Sequence, residues 1–191
     1  MFCFSCSEYS YLTTMAELEE SKEFVKNLLT TGIRGTVWPN KAYLVAVIKD
    51  RSGKVIWKNK YQTLPNANHT ERQLLCDQEF IDAVEKENFD EIILTSNYSP
   101  CKDCAEHLMK FYEESTTLKL TVRFSHPYET KCKSHLEGLK DLNRAGITLE
   151  AMTEKSWLDV LEFLFDLDPG AVMTRDVVTR EKLEDLLRSF H

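Results

Sequence analysis

The sequence predicts an α/β protein in which one five-stranded mixed β-sheet is flanked by about six α-helices. Two strand-like segments come first and are joined by a short turn. The later strand-like segments alternate with helix-like segments, which is typical of a sheet that carries helices on its faces. The chain has 191 residues, of which 42% are hydrophobic. That is enough for one sizeable core, so we expect a single folded domain.

The first half of the chain predicts a helix followed by a hairpin. Apolar residues recur at helical spacing over residues 16–31, and the glycines and proline of 30–40 indicate a loop. Residues 42–48 form a nearly continuous apolar run, as expected for a buried strand. The turn sequence at 50–53 then predicts a return strand over 54–61.

The next elements are predicted as a long helix and a short strand. Residues 69–87 have helical periodicity, and 92–94 form an apolar strand. The predicted buried stripe of the helix contains apolar residues at helical spacing: Leu74, Ile81 and Val84, with Phe80 beside them.

The remaining elements alternate. Pro100 opens a helix, because proline is well tolerated in a first turn. A strand follows at 118–124, then a helix at 135–145 that Gly146 terminates, and then a strand at 147–152. The connection between these two strands is long enough to make them parallel. Further helices are predicted at 153–165 and at about 179–190.

One domain accounts for residues 15–191, with a core at about 24–165. We expect residues 1–14 to be a disordered tail, and Met15 is an alternative start. The net charge is −7, which by itself does not indicate a nucleic-acid-binding protein. The terminal segments carry most of this acidity, however, and the middle of the chain is slightly basic.

The residues that point to chemistry are His69, Glu71, Cys101 and Cys104. The two cysteines stand three apart at a predicted helix N-terminus, so their sulfurs share one face, and the helix dipole there stabilises thiolates. His69 supplies a third ligand, and three protein ligands leave a fourth zinc position open, as in catalytic sites. Glu71 is then free to act as the acid and base. This pattern matches the signature of zinc-dependent base deaminases.

A purely structural zinc site is the alternative interpretation, and it would need a fourth ligand. His107, Cys76 and Cys132 are the candidates, but none stands at a motif spacing. We interpret His107 as a surface or packing residue. Cys3 and Cys6 form a second Cys-x-x-Cys pair, which has no second ligand pair and is assigned to the tail.

The motif has a family context. Residues 96–101, Ser-Asn-Tyr-Ser-Pro-Cys, resemble the Ser-Trp-Ser-Pro-Cys element of the AID/APOBEC polynucleotide cytidine deaminases, with Tyr98 in place of the tryptophan. Residues 138–147 and 151–153 are similar to that family's helix, parallel strand and following turn. The resemblance extends over about 24–165. It implies a cytidine-deaminase-like fold, one catalytic Zn²⁺, and deamination of cytosine to uracil in single-stranded DNA or RNA.

The resemblance also implies roles for residues around the metal. Tyr98 would form an aromatic wall of the base pocket, and the backbone at Ser99 would accept hydrogen bonds from the cytosine amino group. Asn66, or alternatively Asn68, would contact the sugar. Tyr128 lies in the loop that selects the neighbouring base in this family. The loop before the first strand supplies further candidates for contacting single-stranded nucleic acid: Arg34, Trp38 and Lys41. The alternative is that Trp38 caps the core and that the two charged side chains are solvated.

Three other functions stay open at this point. The first is a deaminase of free cytidine, deoxycytidine or their nucleotides. The second is a catalytically silent zinc protein that acts as a binding module. The third is adenosine deamination on transfer RNA.

Residues 1–14 contain no Lys or Arg, so they do not resemble a secretory signal. We expect a cytoplasmic or nuclear protein with no membrane-spanning segment. The oligomeric state is not predicted.

Overall fold

The five-stranded mixed sheet predicted from the sequence is present. The computed structural model describes residues 23, 24, 26, 27, 30–32, 35, 37–63, 69–86, 89–115, 119–129, 131–153, 156, 160 and 177–190. The strands are β1 (Tyr43–Lys49), β2 (Val55–Gln62), β3 (Glu91–Tyr98), β4 (Lys119–His126) and β5 (Thr148–Ala151). The helices with full bounds are α1 (Thr70–Leu75), α2 (Gln78–Glu85), α3 (Lys102–Glu113), α4 (Lys133–Arg144) and α5 (Val177–Arg188).

The strand order is β2-β1-β3-β4-β5. Strand β1 is antiparallel to both β2 and β3, whereas β3, β4 and β5 run parallel to one another. The prediction that the last two strands are parallel is therefore confirmed. Because β3 and β4 end at the same edge of the sheet, the loops that follow them meet there. That edge holds the candidate site.

Apolar side chains cover both faces of the sheet. On one face, Leu44, Leu94 and Phe124 pack against residues of the helices, including Leu108 and Leu139. On the other face, a smaller cluster forms from six buried residues: Phe24, Tyr43, Val45, Val47, Met152 and Val160. The described residues among 23–30 are helical, as are residues 156 and 160. Thr31 and Thr153 are described and are not helical. The other parts of the helices predicted at 16–31 and 153–165 lie outside the described residues, as does the predicted tail at 1–14.

The single helix predicted at 69–87 is wrong, because the chain forms α1 and α2 with a break at Cys76 and Asp77. The Asp77 carboxylate accepts the Glu79 N–H at 2.9 Å and so caps a new helix. It also accepts hydrogen bonds from the hydroxyl of Tyr61 and the amide of Asn59 on β2. These bonds to a neighbouring strand favour a second helix start over continuation of the first helix.

The helix break also changes the buried stripe. Phe80, which we placed beside the stripe, is 1% exposed and is one of the largest buried side chains. Leu74 is buried as predicted, but Ile81 and Val84 are only half-buried. The predicted stripe assumed one continuous helix, and the break at Cys76 and Asp77 ends that periodicity.

Strand β3 is longer than the predicted 92–94. Its second half is polar in sequence but buried, since Thr95, Ser96 and Asn97 are at most 4% exposed. Such residues hide a strand from hydropathy analysis, and they stay buried because their polar groups find partners. The Ser96 hydroxyl, for example, donates to the Tyr98 carbonyl at 2.6 Å.

Within the part of the chain that the structure describes, no helix combines the length and hydropathy that crossing a bilayer requires.

Candidate active site

The candidate site lies at the carboxyl ends of the parallel strands, where ligands commonly bind in open α/β sheets. Strand β3 ends at Tyr98, and the chain passes through Ser99 and Pro100 to Cys101, which precedes α3. Strand β2 ends at the same edge, because its last residue pairs with the first residue of β1. His69 stands directly before α1. The N-termini of α1 and α3, which are distant in the chain, therefore lie at the same edge of the sheet.

The three predicted metal ligands meet at this point. The Nδ1 atom of His69 lies 3.3 Å from the Cys101 sulfur and 3.4 Å from the Cys104 sulfur. Cys101 is 8% exposed and Cys104 is fully buried, whereas the His69 side chain reaches the group from an exposed position. The ligand atoms of all three lie within 4.8 Å of one another.

This donor set fits Zn²⁺. Zinc prefers thiolate sulfur at ~2.3 Å and imidazole nitrogen at ~2.0–2.1 Å in tetrahedral geometry, which separates neighbouring donors by roughly 3.5 Å. The nitrogen–sulfur distances of 3.3 and 3.4 Å agree with that separation. Three nitrogen and sulfur donors also leave one tetrahedral position for a non-protein ligand.

The two thiols titrate as a pair. A hydrogen bond from the Cys104 thiol, together with the Cys104 N–H and the nearby His69, lowers the pKa of Cys101 to about 5. The same hydrogen bond, together with burial and the nearby Glu71 carboxylate, raises the pKa of Cys104. The site therefore favours at least one thiolate at neutral pH, which is the form that binds a metal.

Glu71 is buried beside the three candidate ligands His69, Cys101 and Cys104, here called the metal set, but is not one of them. It is 6% exposed, and its carboxylate accepts a hydrogen bond from the Thr70 hydroxyl at 3.1 Å. Burial raises the pKa of Glu71, and hydrogen bonds from its own backbone, Cys104 and Thr70 only partly offset this effect. A buried carboxyl group with a raised pKa suits a residue that takes and returns a proton near neutral pH.

A cavity of about 400 Å³ opens onto Glu71 and the metal set. Its described lining comes from five stretches of the chain: Pro39, Asn40, Ala42, Thr63, His69, Glu71, Tyr98, Ser99, Cys101, Tyr128 and Glu129. The aromatic rings of Tyr98 and Tyr128 lie 6.3 Å apart in an edge-on arrangement. The cavity is lined by a mixture of aromatic rings and a few polar groups, as small-ligand sites usually are.

Hydrogen bonds hold Tyr98, Ser99 and Tyr128 in place around this cavity. The Tyr98 hydroxyl donates to the Pro39 carbonyl at 2.7 Å. The Ser99 hydroxyl accepts the Tyr128 N–H at 2.9 Å, and the Ser99 N–H donates to the His126 carbonyl at 2.9 Å. Ser99 thereby ties the loop after β4 to the loop after β3.

The other predicted contact residues have different outcomes. Trp38 packs against His126 with ring centroids 4.6 Å apart, and it is not among the described residues that line the cavity. Lys41 is exposed on the same segment. Arg34 and Asn66, and the alternative Asn68, lie outside the described residues.

None of the candidate fourth ligands joins His69 in the described part of the chain. His107 is exposed, and its Nδ1 atom lies 2.6 Å from the Asp103 carbonyl oxygen, one helical turn earlier. Cys76 is exposed. Cys132 belongs to a separate group with Glu129 and His135. Among the described residues, the group therefore offers three protein donors.

Asn97, to which no sequence pattern assigned a role, joins several segments at this edge of the sheet. Its side chain is fully buried, and its oxygen accepts the Tyr43 N–H at 2.8 Å. Its amide nitrogen donates to the Lys41 carbonyl at 3.0 Å and to the Thr31 hydroxyl at 3.2 Å. Asn97 therefore anchors the segment that carries Pro39 and Asn40. Its position beside Tyr98 was the only signal in the sequence, and a polar residue there gives no indication of burial.

Fold and site together define the class of protein. A five-stranded mixed sheet that brings a His-x-Glu and a Cys-x-x-Cys to its carboxyl edge is the arrangement of a base deaminase. A comparison with protein families then gives the family: residues 24–191 match the family described as Invertebrate-AID/APOBEC-deaminase. The chain belongs to this deaminase family, as the resemblance at residues 96–101 implied.

Proposed function

We propose that this protein is a zinc-dependent deaminase that converts cytosine to uracil in single-stranded DNA or RNA. The observation that carries the proposal is the position of Glu71. Its carboxyl group is buried beside a cavity that Glu71, His69 and Cys101 line together with Tyr98 and Ser99. A proton carrier, a metal set and an aromatic wall thus share one space of suitable size for a base.

Each residue has a role in this chemistry. His69, Cys101 and Cys104 would hold the zinc, which as a Lewis acid lowers the pKa of water toward neutrality. Glu71 takes a proton from the water whose oxygen bonds to C4 of cytosine, and it delivers that proton to N3. Glu71 then takes the second water proton and passes it to the departing amino group, so that the C4–N bond breaks. Water and cytosine thus yield uracil and ammonia.

The cavity walls would position the base. The hydrogen bond from the Tyr98 hydroxyl to the Pro39 carbonyl holds the ring in place. The ring would then serve as a stacking surface for the base. The cytosine amino group donates hydrogen bonds, so at the Ser99 backbone it would use the carbonyl oxygen as acceptor, while the Ser99 N–H stays bonded to the His126 carbonyl. Tyr128 and Glu129 line the same cavity, where they would contact a neighbouring nucleotide. Reduced cysteines at the metal site are consistent with the proposed cytoplasmic or nuclear setting.

A substrate panel tests the proposal. The full chain loaded with zinc is incubated with single-stranded DNA, single-stranded RNA, cytidine, deoxycytidine and an oligonucleotide containing 5-methylcytosine, and uracil or thymine is measured. We expect product from at least one polynucleotide at a higher kcat/KM than from the free nucleosides. Turnover of free nucleosides alone would replace the polynucleotide with a nucleoside substrate. Bound zinc without deamination of any cytosine substrate would support a binding module instead.

A further inference from the structure

Helix α4 begins against the first turn of α3, the helix that contains Cys104 and directly follows Cys101. Gly138 permits this approach, because a β-carbon there would lie only 3.1 Å from the Lys102 α-carbon. One turn earlier, the Nδ1 atom of His135 accepts the Lys102 N–H at 3.1 Å. A side chain from α4 therefore satisfies an N–H group of the first turn of α3, which has no partner within its own helix.

The other side of the His135 ring faces the wall of the cavity. A neutral imidazole that accepts at Nδ1 carries its proton on Nε2, and this atom lies 3.4 Å from a Glu129 carboxylate oxygen. The ring also lies 5.2 Å from the ring of Tyr128, centroid to centroid. Glu129 and Tyr128 both line the cavity. His135 thus contacts the start of the metal-binding helix and the cavity wall at once.

A second metal site is the competing interpretation of this cluster. The ligand atoms of Glu129, Cys132 and His135 lie within 4.8 Å of one another. A metal at Nε2 would, however, move the ring proton to Nδ1, where it would point at the Lys102 N–H. The hydrogen bond from Lys102 therefore favours a positioning role for His135 over a role as a metal ligand.

We propose that His135 is a positioning residue that holds the first turn of α3, so that Cys101 and Cys104 retain their metal, and braces the wall formed by Tyr128 and Glu129. The second half of this statement rests on the proposed deaminase function. The first half does not, because metal retention is measurable without any turnover.

Two substitutions separate the two contacts. In His135→Asn, the side-chain oxygen occupies the place of Nδ1 and keeps an acceptor for Lys102, but the contact with Glu129 is lost. In His135→Gln, the side-chain amide reaches toward the place of Nε2 and the acceptor for Lys102 is lost. His107→Asn is the matched control, since His107 is an exposed histidine of α3.

The measurement is the rate at which the zinc-loaded full chain releases zinc to a coloured chelator. We expect His135→Gln to release zinc about fivefold faster than the wild type, as for the loss of a helix N-terminal cap. His135→Asn and His107→Asn should release it at the wild-type rate. With an oligonucleotide substrate, His135→Asn should raise KM severalfold and leave kcat within about twofold.

Several results would overturn the proposal. The first is zinc release from His135→Gln at the wild-type rate. The second is zinc release that is equally fast from His135→Gln and His135→Asn. The third is a wild-type chain that binds two zinc ions, one of which is lost in every His135 variant. Hydrogen exchange of the Lys102 amide in the wild type is the check if His135→Gln does not fold. Protection supports the proposal, and exchange at the rate of an exposed amide overturns it. If the wild type deaminates nothing, the proposed function fails while the release rates still test His135.

Discussion

The Nδ1 atom of His69 lies 3.3 Å from the sulfur of Cys101, although 32 positions separate the two residues in the chain. Strand β3 and the start of α3 produce this proximity, because they return the chain to the edge where α1 begins. The contact has no role in packing a core, since His69 is exposed. The zinc proposed at His69, Cys101 and Cys104 would account for it.

Removing either cysteine ligand should remove the metal and destabilise the fold. Cys101→Ser and Cys104→Ser should each purify with well under one zinc per chain. At a free zinc concentration a thousandfold above Kd, bound zinc adds ~4 kcal/mol to the free energy of unfolding, so the melting temperature should fall by about 10 °C. Elemental analysis and thermal unfolding measure both effects. Cys76→Ser is the control, because Cys76 is exposed and should keep full zinc. Stoichiometric zinc in both ligand variants would exclude this site.

Tyr98 should contribute through its ring more than through its hydroxyl. Tyr98→Phe keeps the ring but loses the 2.7 Å hydrogen bond to Pro39, so we expect KM to rise ~3- to 10-fold with little change in kcat. Tyr98→Ala also removes the stacking surface and should lower kcat/KM by ~100-fold, within the ~1–3 kcal/mol that stacking contributes in addition to the lost hydrogen bond. Steady-state kinetics on a single-stranded oligonucleotide distinguish the two. Equal losses in both variants would argue against a stacking wall.

The Asp77 carboxylate should make stability depend on pH. Burial raises its pKa, but the hydrogen bonds from Tyr61, the Glu79 N–H and Asn59 outweigh burial and hold the pKa below its usual range. The associated stability is therefore present above the unfolded-state pKa of about 3.9 and is lost as pH falls through the folded-state value. Tyr61→Phe should lower the free energy of unfolding by ~1 kcal/mol at pH 7, and by less near pH 3. Urea unfolding at both pH values tests this. A difference that stays constant between them would refute it.

The sequence was sufficient to predict the sheet, and it singled out the three side chains His69, Cys101 and Cys104 that the structure brings together, because both depend on local patterns. The strand at 42–48 is a continuous apolar run, and the strand at 118–124 alternates apolar and polar residues. The spacing of Cys101 and Cys104 places their side chains on one face of a helix, whatever the rest of the fold. The break at Asp77 was missed because it depends on Tyr61 and Asn59, which are distant in sequence and contact Asp77 only after β2 forms. Hydropathy gives no information on such a contact.

The same reason explains what was missed at the site. Asn97 and His135 act through hydrogen bonds to backbone groups of residues 56 and 33 positions away, respectively. Their importance follows from which segments meet at the sheet edge, and no spacing motif reports it. Tyr98, Ser99 and Tyr128, by contrast, were identified through the family resemblance, and the structure brings them together around one cavity.

The most direct test of the central claim is the substitution Glu71→Gln. It keeps the shape of the side chain but removes the group that takes the proton, so we expect full zinc content and a loss of ~10²–10⁴-fold or more in uracil formation on the best polynucleotide substrate. Glu106→Gln, an exposed position on α3, should retain wild-type activity. A Glu71→Gln protein that binds zinc and forms uracil at the wild-type rate would contradict the account.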